Sequence, residues 1–406
     1  MVAASTGRQA PVAPRAGGST PPTLAALPPL ALYVHVPWCV RKCPYCDFNS
    51  HAVPAGDALP EARYLDALAR DLESSLPQVW GRRVHSVFIG GGTPSLLSAA
   101  GLDRLLADIR ARLPLDPGAE ITLEANPGTV EAARFAAYRA SGVNRLSIGI
   151  QSFDARHLRA LGRIHDGDES RRAAAIAREV FDNFNLDLMY ALPGQTVAEL
   201  ERDLDAALSF APPHLSVYHL TLEPNTVFAK YPPALPDDDA AADMQVRVEA
   251  VLGAAGYARY ETSAYARPGA RAAHNLNYWR FGDYLGIGAG AHGKISFPDR
   301  IVRTEKPRNP DTYMAACAAA EAGAAIGSVR AVATADLPFE FMMNALRLTE
   351  GVEARLFAER TGVPVARIAP ILAAAAARGL VEHGPARIAP TARGRLFLND
   401  LLQMFL

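Results

Sequence analysis

The sequence predicts an α/β chain, an open, partial (β/α)6 barrel followed by a smaller winged-helix-like α+β domain. Three observations predict it. Short apolar runs alternate with amphipathic stretches through the first half of the chain. Residues with chemistry to offer fall just after those runs, where sites in parallel sheets lie. From about Ala331 the pattern changes to helical stretches followed by a hairpin-like return.

In chain order, residues 1–30 are rich in Pro, Ala and Gly and carry Arg8 and Arg15 but no acid. That composition predicts a disordered tail. Pro28 and Pro29 interrupt the nearby apolar run, against a signal peptide. Six candidate strands follow, Leu32–Val36, Val84–Ile89, Ile121–Glu124, Arg145–Ile150, Asn185–Tyr190 and Leu215–Leu220. They are rich in Val, Ile, Leu and Tyr, as strands buried on both faces are. Between them lie the helical patterns Glu61–Ser75, Ala99–Arg112, Val130–Ala140, Ser170–Phe181 and Val197–Phe210. Serial βα units imply parallel strands joined by right-handed crossovers. No strong signal for strands seven and eight follows, so 31–235 reads as the partial barrel.

Residues 236–330 read as a connecting region. It contains a helix over Pro236–Gly256, a strand-like run Ala258–Ser263, a folded irregular stretch Arg271–Lys294 and an alanine-rich helix Asp311–Ala325. Cys317 lies in that helix and reads as a small buried hydrophobe. In 331–406, Phe339–Leu348, Ala354–Arg360 and Val365–Arg378 look helical, Gly379–Pro390 reads as a hairpin and Ala392–Phe405 as a last helix. The module's Arg and acidic residues nearly balance, so a packing module or lid is expected rather than a DNA reader.

The net charge of −1 gives no electrostatic case for nucleic acid or an anionic membrane. No stretch is long and apolar enough to span a bilayer. Three of the four cysteines, Cys39, Cys43 and Cys46, are clustered as C-x3-C-x2-C in YVHVPWCVRKCPYCDFNSH, which argues against a secreted disulfide scaffold and for a reducing cytoplasm. Thiolates so spaced converge on one metal centre. Three ligands on a cubic four-iron cluster leave one iron open to a further ligand. Zinc with His35, Asp47 or His51 as fourth ligand, and free thiols, are the competing readings.

Further motifs sit at the strand ends. Gly90-Gly91-Gly92-Thr93-Pro94 follows the second strand, and glycines let backbone approach a ligand. Glu124 ends the third strand, Gln151 the fourth, and Asp187 lies in the fifth; Arg163 follows in LGRIH and suits a carboxylate.

The cysteine spacing and the GGGTP segment resemble the radical S-adenosylmethionine (SAM) family, in its coproporphyrinogen-oxidase branch. The resemblance runs from about Tyr33 to the C-terminus. It implies a [4Fe-4S] cluster on Cys39, Cys43 and Cys46, with SAM on the open iron. It also implies SAM contacts from Tyr33, Tyr45, Gly91, Gly92, Thr93, Glu124, Gln151, Arg163 and Asp187. Phe48 stands where the branch's oxidase has a further cysteine, and the barrel starts almost at once. Both features resemble the haem-chaperone subgroup instead. His274-Asn275-Leu276-Asn277-Tyr278-Trp279 is similar to that subgroup's HNxxY motif, which implies haem contacts from His274 and Tyr278. Tyr278, Trp279, Phe281 and Tyr284 are the expected walls and Arg271 or Arg280 the expected propionate partner, with His292 the next candidate ligand.

The expected function is therefore to bind haem and deliver it to acceptor proteins, in the cytoplasm or at the membrane periphery. An electron donor would serve the cluster. The competing expectation is an oxygen-independent coproporphyrinogen III oxidase, or another radical SAM enzyme acting on a porphyrin-like substrate.

Overall fold

In the computed structural model, the structure describes residues 22–53, 58–129, 132–319, 325–384 and 386–406. Its spine is a twelve-stranded sheet. In chain order its strands are β1 Leu30–Val36, β2 Val84–Gly91, β3 Leu115–Ala125, β4 Arg145–Gln151, β5 Phe184–Tyr190, β6 His214–His219, β7 Ala258–Arg259, β8 Ala264–Ala266, β9 Asp283–Ile287, β10 His292–Phe297, β11 Arg300–Glu305 and β12 Ser328–Ala331. In space they run β12-β11-β10-β9-β1-β2-β3-β4-β5-β6-β8-β7. Strands β1 to β6 pair parallel and in sequence order. Buried on both faces, they need apolar side chains on alternate and intervening positions alike, hence the continuous runs. Every residue of β5 is buried.

The crossover helices start where local chemistry starts them. Ser98 caps Ala99–Arg112 through its side chain. Asp166 with Glu169 and Thr196 with Glu199 form capping boxes ahead of Gly167–Val180 and Val197–Ser209. The apolar faces of these helices and of Glu61–Ser75 pack on the sheet in one large core.

The connecting region departs from expectation. Arg271–Lys294 is not irregular: it forms the helix Ala273–Trp279, then β9, then the start of β10. β9 lies parallel to β1, with Tyr33 beside Gly286, and adds a seventh parallel strand. Its five residues, DYLGI, are too short and glycine-broken to read as a strand. Gly286 is required there, because a Cβ would lie 2.0 Å from the His292 carbonyl oxygen on β10. The helix expected over Asp311–Ala325 spans Pro310–Ala318; residues 320–324 of that expectation lie outside the described residues, as do 54–57, 130–131 and 385.

The C-terminal segment has the expected winged-helix pattern. Helices Leu337–Ala345, Ala354–Thr361 and Ala369–Ala377 accompany a small antiparallel sheet of Val352–Glu353, Arg387–Pro390 and Val381–His383. The final helix breaks at Phe397 into Ala392–Leu396 and Leu398–Gln403. A second core fills this module and takes in Trp279, Phe281, Ile301 and Leu24 from outside it. The tail expected over 1–30 is thus ordered at its end: Leu24 is buried and its N–H donates to the Pro298 carbonyl over 2.9 Å. Residues 1–21 lie outside the described residues.

Candidate functional site

The cysteine loop leaves the carboxyl end of β1. Trp38–Cys39 pairs with His51–Ala52, so the loop closes on itself. Three contacts tie it to the barrel body. His35 Nε2 donates to the Asn49 carbonyl at 2.8 Å. Since that nitrogen carries the proton, Nδ1 accepts from the Tyr33 hydroxyl at 2.7 Å. The Asn49 amide donates to the carbonyls of Ala289 and Arg308 at 3.0 and 2.9 Å. Beneath Gly288, a buried knot of Asp71, Lys306 and Tyr313 holds the same segment, with Lys306 Nζ 2.5 Å from Asp71.

None of the four cysteines is in a disulfide. Cys39 Sγ accepts from Thr93 Oγ1 at 3.5 Å, and Cys43 Sγ from Arg163 Nη1 at 3.8 Å. Burial pushes the Cys39 thiol up and the Cys46 thiol to about 11. A bound metal would favour their thiolate forms against this effect of burial. One zinc ion would draw its ligand atoms to within about 4 Å of each other. Among the described residues, the group of three ligand atoms lying within 4.8 Å of one another is Asp154, His157 and Glu199, and it contains no cysteine. His35 has both ring nitrogens engaged, and His51 Nε2 faces the Arg308 carbonyl at 3.2 Å. The donor set fits a multi-iron cluster better than one zinc ion. At Asp154, the Arg156 guanidinium already pairs with Glu199 and lies 3.2 Å from His157.

A shallow cleft opens beside the loop, lined by Val40, Cys43, Thr93, Asn126, Arg163 and Ile164 among others. Arg163 Nη2 donates to Asn126 Oδ1 at 2.5 Å and to the Gly149 carbonyl at 2.8 Å. The Asn126 amide donates to Thr93 at 2.8 Å. Tyr45 stands beside the Arg163 guanidinium, with its ring near Phe228. Gln151 ends β4 at φ 66°, in the left-handed region, and turns the chain at the barrel mouth. Asp187 accepts from Ser147 and Asn185 at 3.2 and 2.8 Å. Burial raises Glu124 to about 8, with the Asp187 charge adding to it, and Glu124 accepts from the Gly91 N–H at 3.1 Å.

The glycines serve the protein as well as any ligand. A Cβ on Gly91 would lie 2.7 Å from the His35 ring, and one on Gly92 2.4 Å from the Trp38 carbonyl oxygen. The Gly92 N–H donates to Val36. These residues let β1 and β2 close on each other, so a valine at Gly91 would disturb His35 before it met any ligand.

The HNLNYW segment is placed differently. It forms the buried helix Ala273–Trp279. His274 is 6 % exposed, and its ring lies 4.3 Å from that of Phe88. Nδ1 pairs with Glu120 Oε1 at 2.8 Å, and the Ala273 and His274 N–H groups donate to the same carboxylate. Burial lowers His274 while the Glu120 hydrogen bond and charge pull the other way; in the neutral imidazole Nδ1 carries the proton towards Glu120 and Nε2 the lone pair. Tyr278, one turn on, packs edge-on against Tyr284 at 4.8 Å. The expected walls Trp279 and Phe281 are instead sealed into the second core. Arg271 pairs with Glu350, and His292 lies exposed at the start of β10, 3.8 Å from Glu305.

Sequence reasoning missed Glu120, Asn126 and Asn49. Glu120 had a signal: it lies four residues before Glu124 on the same strand, so the two share a face. The contacts of Asn49 lie 240 and 259 residues away, which no local pattern shows.

Comparison with known proteins fits this arrangement. Residues 33–207 match the radical SAM superfamily and 332–397 the HemN C-terminal domain. The chain is 51% identical to the Escherichia coli (strain K12) protein named heme chaperone HemW over 94% of its own length and 100% of that protein. It is 37% identical to heme chaperone HemW of Mycobacterium tuberculosis (strain H37Rv), over 95% and 97%. Among solved structures it resembles the coproporphyrinogen III oxidase (HemN) of Escherichia coli, a radical SAM enzyme, with a TM-score of 0.78, 27% identity, and 93% and 90% of the two chains covered. On the strength of these near full-length matches, the chain belongs to the HemW family of the radical SAM superfamily.

Proposed function

We propose that this protein is a haem chaperone. It binds haem as cargo and passes it to acceptor proteins, and it carries a [4Fe-4S] cluster with SAM. The near full-length identity to heme chaperone HemW carries the reading. Phe48, at the position of the oxidase's further cysteine, separates it from coproporphyrinogen oxidation. Among the described residues no helix is long and apolar enough to cross a membrane. A reducing cytoplasm suits the half-buried thiols of an oxygen-sensitive cluster.

Cys39, Cys43 and Cys46 would hold the cluster, which supplies an open iron for SAM and a one-electron couple. Thr93 and Arg163 hydrogen-bond to the ligand sulfurs and stabilise their negative charge. Gly91, Gly92, Gln151, Arg163 and Asp187 place backbone and polar groups around the mouth for SAM, with Tyr33 and Tyr45 on its aromatic sides. Glu124 is suited to a cationic ligand, whose charge would favour the carboxylate over the protonated form that burial imposes.

His274 and Tyr278 are the proposed haem contacts. They lie one helical turn apart and so share a face. Glu120 fixes the imidazole tautomer and leaves Nε2 as the ligating atom, the arrangement that strengthens histidine as a metal ligand. Because the helix is buried, haem reaches it only when the helix and its neighbours open. The test is haem titration of the anaerobic protein. Wild type should give a shifted Soret band and Cys39→Ala should keep it. A wild-type protein that binds no haem yet turns over coproporphyrinogen would refute the chaperone reading.

A further inference from the structure

Three basic side chains are buried among the described residues, Lys294, Lys306 and Arg145. Lys294 pairs with Asp283 and Lys306 with Asp71. Arg145, 1 % exposed, forms no ion pair among the described residues. Its Nη1 donates to the Asn183 side-chain oxygen at 2.7 Å, and its Nε has no hydrogen-bond partner. Burying a charge without a counter-charge is costly, and a partner of opposite sign offsets that cost.

The strand registers say what stands beside it. Phe88 on β2 pairs with Thr122 on β3, and Thr122 with Arg145 on β4, so the three side chains form a row on one face of the sheet. The helix Ala273–Trp279 lies on that face, since the Phe88 ring meets that of His274. Glu120, two residues before Thr122, shares the face and pairs in register with Ser86. Ser86 Oγ and Thr122 Oγ1 are, like Arg145 Nε, buried without a hydrogen-bond partner. Such orphaned groups are rare, and three in one patch of sheet mark a binding site. A guanidinium N–H and two hydroxyls can all donate, and with the positive charge they fit a carboxylate. The protein does not supply one. The Glu120 carboxylate is committed to His274 and to the Ala273 and His274 N–H groups. Burial holds His214 well below its usual range and pushes Tyr260 up to about 12, so these two neighbours are uncharged at neutral pH.

We infer that Arg145, with Thr122 and Ser86, is the carboxylate anchor for the haem cargo and takes a propionate while His274 takes the iron. The inference rests on the haem reading proposed above. It replaces the expected partners Arg271, which is tied to Glu350, and Arg280, which is exposed. Two strand spacings, about 10 Å, separate the Phe88 backbone from that of Arg145. A flat tetrapyrrole laid over Thr122 once the helix opens spans that interval, with its metal towards His274 and its rim carboxylates towards Arg145. The unpaired cation then gains its counter-charge only from loaded cargo, so the carboxylate favours the open state.

The test compares haem with haem dimethyl ester, whose propionates carry no charge, by Soret titration of the full-length anaerobic protein in mild detergent. Wild type should bind haem about tenfold more tightly than the ester, as a charge-assisted pair implies. Arg145→Gln should bring haem down to the affinity of the ester and leave the ester's own affinity unchanged. Arg145→Lys, which keeps the charge, should retain part of the preference. Thr122→Val, of nearly the same shape, should narrow it about threefold. His274→Ala should weaken both ligands alike, because it removes the iron ligand common to them. The inference is overturned if wild type binds the two equally, or if Arg145→Gln weakens both alike, as a purely structural role would. It is also overturned if Arg271→Gln or Arg280→Gln removes the preference instead. Should thermal unfolding show that Arg145→Gln does not fold, an unchanged preference in both Arg145→Lys and Thr122→Val overturns it. A wild-type protein that binds neither ligand would instead overturn the haem reading itself.

Discussion

The cysteine loop and the HNLNYW helix each carry a proposed binding site, and they are built in opposite ways. The loop lies at the surface, with its thiols half-buried and an open cleft beside them. The helix is buried, its histidine held by Glu120 and covered by Phe88. The first site is presented and the second is stored. A resident cofactor can occupy a site that is always formed. Cargo that must be released is better served by a site that opens, because the cost of opening limits affinity and speeds departure.

Replacing the loop thiols should break this contrast most severely. Cys39→Ala, Cys43→Ala or Cys46→Ala should each remove nearly all iron and labile sulfide, about four of each in the wild type, as three thiolates on a cubic cluster imply. Cys317→Ala should remove none, since that side chain is 7 % exposed on a helix of the core. Stoichiometric zinc without sulfide would contradict the assignment.

The second effect belongs to the helix. His274→Ala removes the partner of a buried carboxylate, and should cost roughly 1–3 kcal/mol of stability along with the Soret shift. Glu120→Gln should keep the histidine but weaken its donor strength, shifting the haem reduction potential upward while binding persists. Haem bound equally well by His274→Ala would move the ligand to another residue, with exposed His292 next to test.

The pH dependence is smaller and sharpens the comparison at the mouth. Burial raises Glu124 from 4.5 to about 8. The folded state therefore holds its proton more tightly than the unfolded chain. That contribution to stability is full below pH 4.5 and is lost as pH rises through 8. A cationic ligand gains by the same ionisation. SAM affinity should rise roughly tenfold between pH 7 and 9, and Glu124→Gln should flatten the profile. An identical slope in both proteins would remove Glu124 from the site. The smallest effect expected is at Asn49→Ala, which loses two amide hydrogen bonds and should lower stability by about 1 kcal/mol in thermal unfolding.

The legible parts of the molecule were those whose physics is local. Strands β1 to β6 are covered on both faces, so each reads as an apolar run, and the cysteine loop concentrates its ligands within eight residues. Strand β9 was not legible, since its burial comes from β1, β10 and the Asp71 knot rather than from its own composition. The His274–Glu120 pair spans 154 residues. Histidine in a polar-looking segment gives no hint that a strand carboxylate will meet it. The glycines were legible as close-approach points, but what approaches Gly91 and Gly92 most closely is the protein's own His35 and Trp38.

Apart from the Thr93 and Arg163 hydrogen bonds to Cys39 and Cys43, the ties described above that hold the cysteine loop to the barrel do not use its thiols. His35, Asn49 and the two-residue strand pair all work through backbone carbonyls and amides. The loop's course is therefore fixed by the barrel and not by whatever the thiols bind, unlike small metal domains that unfold when the metal leaves. An oxidant that destroys the cluster would leave its receptacle standing. The same polypeptide could then be refitted with iron and sulfide in place, and damage to the cofactor becomes a matter of repair instead of replacement.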